Sequence, residues 1–260
     1  MTQRRSLSDR LLPLIRPTLV RDFAPPPERV DGRLWVLDRR LRMPGGPILP
    51  TRTSLVVLPA GGLLVISPPA VEAGGLEALD SLGSVRHVVV PNTFHYLNAR
   101  SFLARYPQAV FWASPGLFAR VTGLPPGHEL TEAPPGAWSG AVELAILGPT
   151  AGASEVAFFH RESATLILTD VAFHMTRIAR LFDRVAWRLS GVPSGFGPSR
   201  TSRTFLLRDR ALAAIFLQRI LAWPFRRVIV AHGESLEVDA AAVFRRAFAE
   251  YLPSESAGGR

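Results

Sequence analysis

Three short apolar runs each lead into a residue able to ligate a metal, and together they limit what the chain can fold into. Val85 to Val90 leads through Pro91-Asn92-Thr93-Phe94 to His95; Thr165 to Leu168 leads through Thr169 to Asp170; Arg227 to Ala231 leads directly to His232-Gly233. Aliphatic and β-branched runs this short read as strands of a sheet covered on both faces. An imidazole or carboxylate just beyond the C-terminal end of such a strand sits where α/β enzymes place their chemistry. His95, Asp170 and His232 are therefore a candidate site.

Composition narrows the chemistry. At 260 residues and 47% hydrophobic, the chain can bury a full core, and one large domain is expected rather than two small ones. The chain has no cysteine, which excludes disulfides, thiolate zinc sites and cysteine nucleophiles. All thirty basic residues are arginine, so a Schiff-base lysine and a P-loop lysine are excluded as well. Any metal must be held by His, Asp, Glu or Asn.

A net charge of +9 concentrates polyanions around a protein. The arginines are nevertheless spread along the chain, the densest groups being Arg39-Arg40-Arg42 and Arg226-Arg227, and none is interleaved with aromatics as a single-strand binding groove requires. A nucleic-acid role is not expected. Apolar stretches such as Leu55 to Ile66 contain Pro or Gly and fall short of the roughly 20 residues that span a bilayer. Leu11 to Ile15 is too short for a signal h-region, and a cytoplasmic protein is the default expectation.

The pattern along the chain divides it into a basic arm over 1–29, a folded domain over 30–252 and a tail over 253–260. The arm carries a short amphipathic piece, Leu7 to Leu14, and ends in Pro25-Pro26-Pro27. Strands are expected over Gly32 to Met43, Thr53 to Leu58 and Leu63 to Ser67, the last two joined by Pro59-Ala60-Gly61-Gly62, whose glycines suit a tight turn. Helix and strand then alternate: helix over Val71 to Leu82, strand over Val85 to Val90, helix over Ala99 to Tyr106, strand over Ala109 to Ala113, helix over Pro115 to Val121. After a Pro/Gly loop from Gly123 to Gly140 come strands over Val142 to Leu147, Glu155 to His160 and Thr165 to Leu168. Helices are expected over Val171 to Leu189, Asp209 to Trp223 and Val238 to Tyr251, with a loop from Gly191 to Ser202 between the first two.

This order, with its ligand-bearing strand ends, resembles the metallo-β-lactamase superfamily. More narrowly, the segments Leu34-Trp35-Val36, Leu63 to Pro68, Val85 to His95, Tyr106 to Ala109, Ala113 to Leu117 and Trp223 to Gly233 look like the DUF4336 family, a divergent branch of that fold. The resemblance covers about residues 33 to 250. It implies an α/β fold: a metallo-β-lactamase-like four-layer αββα sandwich of two mixed sheets flanked by helices.

The superfamily pattern is only partly present. Where a complete member has His-x-His-x-Asp-His, this chain has Asn92 to Asn98 with the single histidine His95, and the Gly-His-Thr-Pro-Gly segment corresponds to Gly148-Pro149-Thr150-Ala151-Gly152, with proline in place of the ligand. Asp170 matches the bridging aspartate and His232 the last histidine. The resemblance thus implies a degenerate site of His95, Asp170 and His232, joined by Asn92 or His174, that holds one zinc or other divalent ion, or none.

Each residue has an alternative reading. Asp170 could cap the following helix, His95 could be a buried hydrogen-bonded histidine between Phe94 and Tyr96, and His232 could be a structural remnant. His174, four residues past Asp170 on an expected helix, would face the same way and support the site. Ser67 ends a strand near the mouth, and the loop from Ser194 to Arg203 could bring Arg200 and Arg203 over the site to meet an anionic group. Three functions follow: a mononuclear metal-dependent hydrolase of a small ester, amide or phosphoester, a non-catalytic descendant that binds an unknown small molecule or partner, or attachment to membranes or nucleic acid through the basic arm and the distributed arginines.

Overall fold

The computed structural model describes residues 17–71, 75–150 and 153–253. Strands β1 (Thr18–Leu19), β2 (Glu28–Asp31), β3 (Leu34–Arg42), β4 (Ile48–Val57), β5 (Leu63–Ile66), β6 (Val85–Val90), β7 (Val110–Ala113) and β8 (His128–Glu129) form one mixed sheet. Its first half is antiparallel through β5, and β5 to β8 run parallel. Helices α1 (Leu76–Asp80), α2 (Ala99–Arg105) and α3 (Leu117–Arg120) follow β5, β6 and β7. The second sheet is β9 (Val142–Thr150), β10 (Ala153–His160), β11 (Thr165–Leu168) and β12 (Arg227–Val230), antiparallel except for the parallel pair β11–β12. Helices α4 (Leu181–Leu189) and α5 (Arg210–Leu221) lie between β11 and β12, and α6 (Ala240–Ala247) follows.

The period of two along the strands decides the layering. In β6, Val88 and Val90 face the layer containing Leu79 of α1 and Phe102 of α2, whereas Val89 faces the layer between the sheets. In β11 and β12, Ile167 and Ile229 join Val89 in that middle layer, while Leu166, Leu168, Val228 and Val230 pack on Phe216 of α5 and Phe244 of α6. Three apolar layers separate four layers of secondary structure, which is the expected αββα sandwich. Strands buried on both faces explain why the runs read as continuous rather than alternating.

Several boundaries differ from the sequence reading. The strand expected over Gly32 to Met43 is β3, and a further strand, β2, precedes it and is turned onto it at Gly32, whose positive φ of 53° suits glycine. The Pro/Gly loop after α3 contains β8 and a 3-10 turn that buries Trp138 completely. The helix expected over Val71 to Leu82 is regular only in α1, with 72–74 outside the described residues. Leu7 to Leu14 also lies outside them, whereas Thr18–Leu19 and Glu28–Asp31 pair with β3.

The largest correction concerns Val171 to Leu189. No helix starts at Val171: Phe173 pairs with Gly197, His174 pairs with Gly233, and α4 begins only at Leu181. Backbone pairing to two other segments outweighs the local helical pattern. Among the described residues no helix is long and apolar enough to cross a membrane.

Phe158 is 1% exposed in the layer between the sheets. Phe158→Ala is expected to lower the unfolding free energy by about 3–5 kcal/mol in urea titrations, whereas Leu181→Ala, at 67% exposure, should change it by less than about 0.5 kcal/mol.

Candidate metal centre

The loops that follow β6, β11 and β12 converge where the two sheets meet. His95 Nε2 lies 3.2 Å from Asp170 Oδ2 and 3.2 Å from His232 Nε2, and His232 Nε2 lies 3.1 Å from Asp170 Oδ1. A tetrahedral ion with bonds of about 2.0–2.1 Å would separate its ligand atoms by about 3.3–3.4 Å. The three side chains therefore have the spacing of a metal-binding face, and among the described residues they are the group that meets this requirement.

Protonation makes the same point. His232 Nδ1 is 2.8 Å from the Pro50 carbonyl, which can only accept, so this nitrogen carries a hydrogen. Nε2 faces the Asp170 carboxylate at 3.1 Å, as a lone pair in the neutral ring and as a donor in the protonated one. His95 Nδ1 meets the Ser67 hydroxyl at 2.6 Å, a group that can accept its hydrogen and leave Nε2 equally basic. The facing atoms can be satisfied by a hydrogen on a ring Nε2 or by a cation held among them.

Burial raises the Asp170 carboxyl, yet the charge of His95 and hydrogen bonds from His232 and His95 hold it well below the usual carboxylate range. Burial likewise lowers the His95 imidazole, and the adjacent Asp170 charge more than reverses this, so its affinity for a proton is raised. The pocket thus stabilises positive charge at the point where the rings and the carboxylate meet.

A buried polar frame fixes these three residues. Asn92 is fully buried; its Oδ1 accepts the backbone N–H groups of Phe94 and His95 at 2.8 Å each, a local turn that aims His95. Its Nδ2 donates to Asp170 Oδ2 at 2.7 Å and to Glu155 Oε2 at 2.9 Å. Glu155 accepts in turn from Thr169 N and Oγ1 and from Asp170 N. Burial and the nearby Asp170 charge push its carboxyl up to about 7 despite these hydrogen bonds.

Ser67 is held at φ 62°, an uncommon conformation for a non-glycine residue, by the hydrogen bond of its N–H to Val89 O and that of Thr53 Oγ1 to its own carbonyl. Strain of this kind costs about 1–3 kcal/mol and tends to mark functional positions. Phe173 stacks on the His232 ring at 4.9 Å.

The site opens into a cavity of about 250 Å³, whose walls include Leu19, Leu41, Met43, Leu49, Phe94 and Leu97. Arg39 and Arg52 also line it, and Arg52 forms a two-point ion pair with Asp38 at 2.7 and 2.8 Å.

The structure brings together His95, Asp170 and His232, and it reassigns the others. Asn92 is committed to hydrogen bonds that orient its neighbours rather than to ligation. His174 is not one helical turn from Asp170; its N–H donates to His232 O, its C=O accepts from Glu234 N, and its ring Nδ1 meets the Glu234 carbonyl at 3.0 Å. Its role is to brace the His232-Gly233 backbone. Asp170 caps no helix, because none follows it, and its carbonyl accepts from Ser202 Oγ. Arg203 pairs with Glu250, and neither it nor Arg200 lines the cavity. Gly148-Pro149-Thr150 contributes no ligand, and Thr150 Oγ1 is bonded to the Phe205 and Leu206 carbonyls.

Sequence reasoning missed Glu155, although a lone carboxylate in the apolar strand Ala153–His160 is a signal of a buried polar role. Ser67 stands at the strand end the sequence marks, and its partner His95 is visible only in the fold. Nothing local points to Phe173 or to the Pro50 carbonyl.

Comparison with known proteins agrees with the fold. A family model described as "Domain of unknown function (DUF4336)" matches residues 31–182, a span that includes His95 and Asp170 and stops before β12. No curated protein matches by sequence. Among solved structures, the chain is similar to the flavodiiron core of Flv1 from Synechocystis sp. PCC6803, with TM-score 0.59 and 12% identity over 90% of this chain and 61% of that one. The chain thus spans less than two thirds of that core's length. It is also similar to the metallo-β-lactamase FIM-1 from Pseudomonas aeruginosa in its mono-zinc form, with TM-score 0.55 and 13% identity over 88% of this chain and 98% of that one. A third, the metallo-β-lactamase from Erythrobacter litoralis, gives TM-score 0.59 and 14% identity over 86% and 96%. Identities this low speak to the fold alone.

Gly233 has φ 120°, and a Cβ there would fall 2.0 Å from the His174 carbonyl oxygen. Gly233→Ala is expected to cost roughly 2–4 kcal/mol in equilibrium unfolding. Gly136→Ala, which would meet nothing within 4 Å, should cost less than about 0.5 kcal/mol.

Proposed function

The chain belongs to the DUF4336 family, and from that premise we propose that it binds one divalent ion of the zinc class through His95, Asp170 and His232 and uses it to hydrolyse a small ester, amide or phosphoester. The observation that carries this reading is the convergence of two imidazoles and a carboxylate at the mouth of an apolar cavity, the two Nε2 atoms 3.2 Å apart and each 3.1–3.2 Å from one of the two Asp170 oxygens. Two imidazoles and a carboxylate leave one position open on a tetrahedral ion, the arrangement of catalytic rather than structural zinc. One of the similar lactamases is known in a mono-zinc form, and the ligand set here supports a single ion, since a two-metal clamp needs more donors.

An ion held there would lower the pKa of a bound water toward about 7 and polarise a carbonyl or phosphoryl oxygen. The remaining tasks fall to the chain. Ser67 and the Pro50 carbonyl hold the two rings with Nε2 turned inward, and such supports raise ligand basicity as well as fixing orientation. Asn92 positions both His95 and Asp170, so that one amide sets two ligands. Leu41, Met43, Leu49 and Phe94 keep water from the far side of the cavity and favour an apolar acyl or alkyl group.

Among the described residues, the titratable groups on the cavity wall besides the three ligands are Arg39 and Arg52. Neither is an acid at neutral pH, so a leaving group that departs without a proton from a wall side chain suits this site best.

The second reading, a binding protein without catalysis, is favoured by that same lack of an acid on the wall. Metal analysis of protein purified without an affinity tag distinguishes the two. The expected result is about one equivalent of ion per chain, lost in His232→Ala and in Asp170→Ala, together with turnover of activated esters that disappears in both variants. Metal-free, fully folded protein would overturn the hydrolase reading, and stoichiometric metal without turnover of any ester, amide or phosphoester would favour the binding protein. Ser67→Ala should weaken metal affinity roughly 10–100-fold in chelator competition.

A further inference from the structure

Helix α4 carries its apolar face on the outside. Leu181, Phe182, Val185 and Leu189 are 67%, 50%, 49% and 72% exposed. The helix is attached to the domain by its opposite side, where Asp183 Oδ1 accepts from Ile48 N at 3.3 Å and Trp187 Nε1 donates to the Ile48 carbonyl at 2.8 Å. At about 100° per residue, the four exposed side chains fall within about 100° of one another and point away from Asp183 and Trp187. Ordinary surface helices place these faces the other way round.

The surroundings are basic. Arg184 and Arg188 follow one edge of the apolar stripe, and Arg177 and Arg180 precede the helix. Arg180 lies 5.7 Å from the Phe182 ring and 3.5 Å from Asp183, the one carboxylate within α4, which is buried. The tip of the β3–β4 hairpin lies beside it, where a Cβ added at Gly46 would fall 3.8 Å from the Phe182 ring.

Apolar clusters of this size on a soluble surface mark interaction sites, and charge decides the occupant. A second copy of the chain, docked on the same face, would set its own arginines against these. A surface with negative phosphates over an apolar interior meets both features of the helix at once.

We propose that α4 is a membrane-surface anchor. It lies in the interface of an anionic bilayer, with Leu181, Phe182, Val185 and Leu189 at the boundary between headgroups and acyl chains and Arg184 and Arg188 against lipid phosphates. This anchor is independent of the metal reading, since none of its residues belongs to the cluster.

The full chain has no cysteine, so Leu189→Cys carrying an environment-sensitive dye reports on this position alone. With vesicles of phosphatidylcholine containing phosphatidylglycerol, the dye emission should shift to the blue and the protein should float with the vesicles; with phosphatidylcholine alone it should do neither. Val185→Asp with Leu189→Asp, and separately Arg184→Glu with Arg188→Glu, should each reduce partitioning roughly tenfold or more. All four positions are exposed, and an unchanged circular dichroism spectrum and melting profile verify the fold. Several results would overturn the proposal: no flotation with anionic vesicles, equal binding to neutral ones, binding that survives both double variants, or dimerisation through this face without vesicle binding.

Discussion

Taking a carboxylate out of water costs several kcal/mol unless its oxygens are repaired inside, and Glu155, with no exposed surface, meets that demand by drawing on both sheets. Its own strand, β10, belongs to the second sheet, and the Thr169 and Asp170 N–H groups that it accepts from follow β11 of the same sheet. Asn92 comes from the end of β6 in the first sheet, and its backbone forms a bridge to Glu155 beside the hydrogen bond from Val156 N to Pro91 O. The two sheets are therefore joined at this edge by polar bonds, whereas further in they touch only through side chains such as Val89 and Ile167. Removing one partner would strand the others without water, so the frame is held as a unit.

The position of Asp170 follows from that frame. Its backbone N–H and one carboxylate oxygen are tied to Glu155 and Asn92, which leaves the carboxylate facing His95 and His232. The imidazoles are held from outside by groups unrelated to the frame, a strained serine and a proline carbonyl on β4. The three side chains are thus oriented by groups within β4 and β10 and just beyond the ends of β5 and β6.

Much of this was legible in the chain. The apolar runs gave the strands of both sheets, because residues buried on two faces leave a continuous signal, and the histidines and aspartate at their ends proved to be neighbours in space. What could not be read was pairing at a distance. Val171 to Leu189 has a helical pattern, but the backbone of Phe173 and His174 bonds to Gly197 and to the His232-Gly233 segment, partners far away in sequence. Ser67 owes its importance to Val89 and Thr53, and Trp138 closes a core from within a loop whose Pro and Gly content suggested only surface. Arg200 and Arg203 looked available, yet Arg203 is spent on Glu250.

The last of the three side chains follows β12, a strand of four residues at the edge of the second sheet with β11 as its one neighbour in that sheet. Its residues Val228, Ile229 and Val230 are nevertheless buried, and on its outer side Val228 exchanges two backbone hydrogen bonds with Leu236. The strand that carries His232 is therefore closed on both sides, and the place of its imidazole is set by the two apolar layers on which β12 packs rather than by the freedom of an exposed edge.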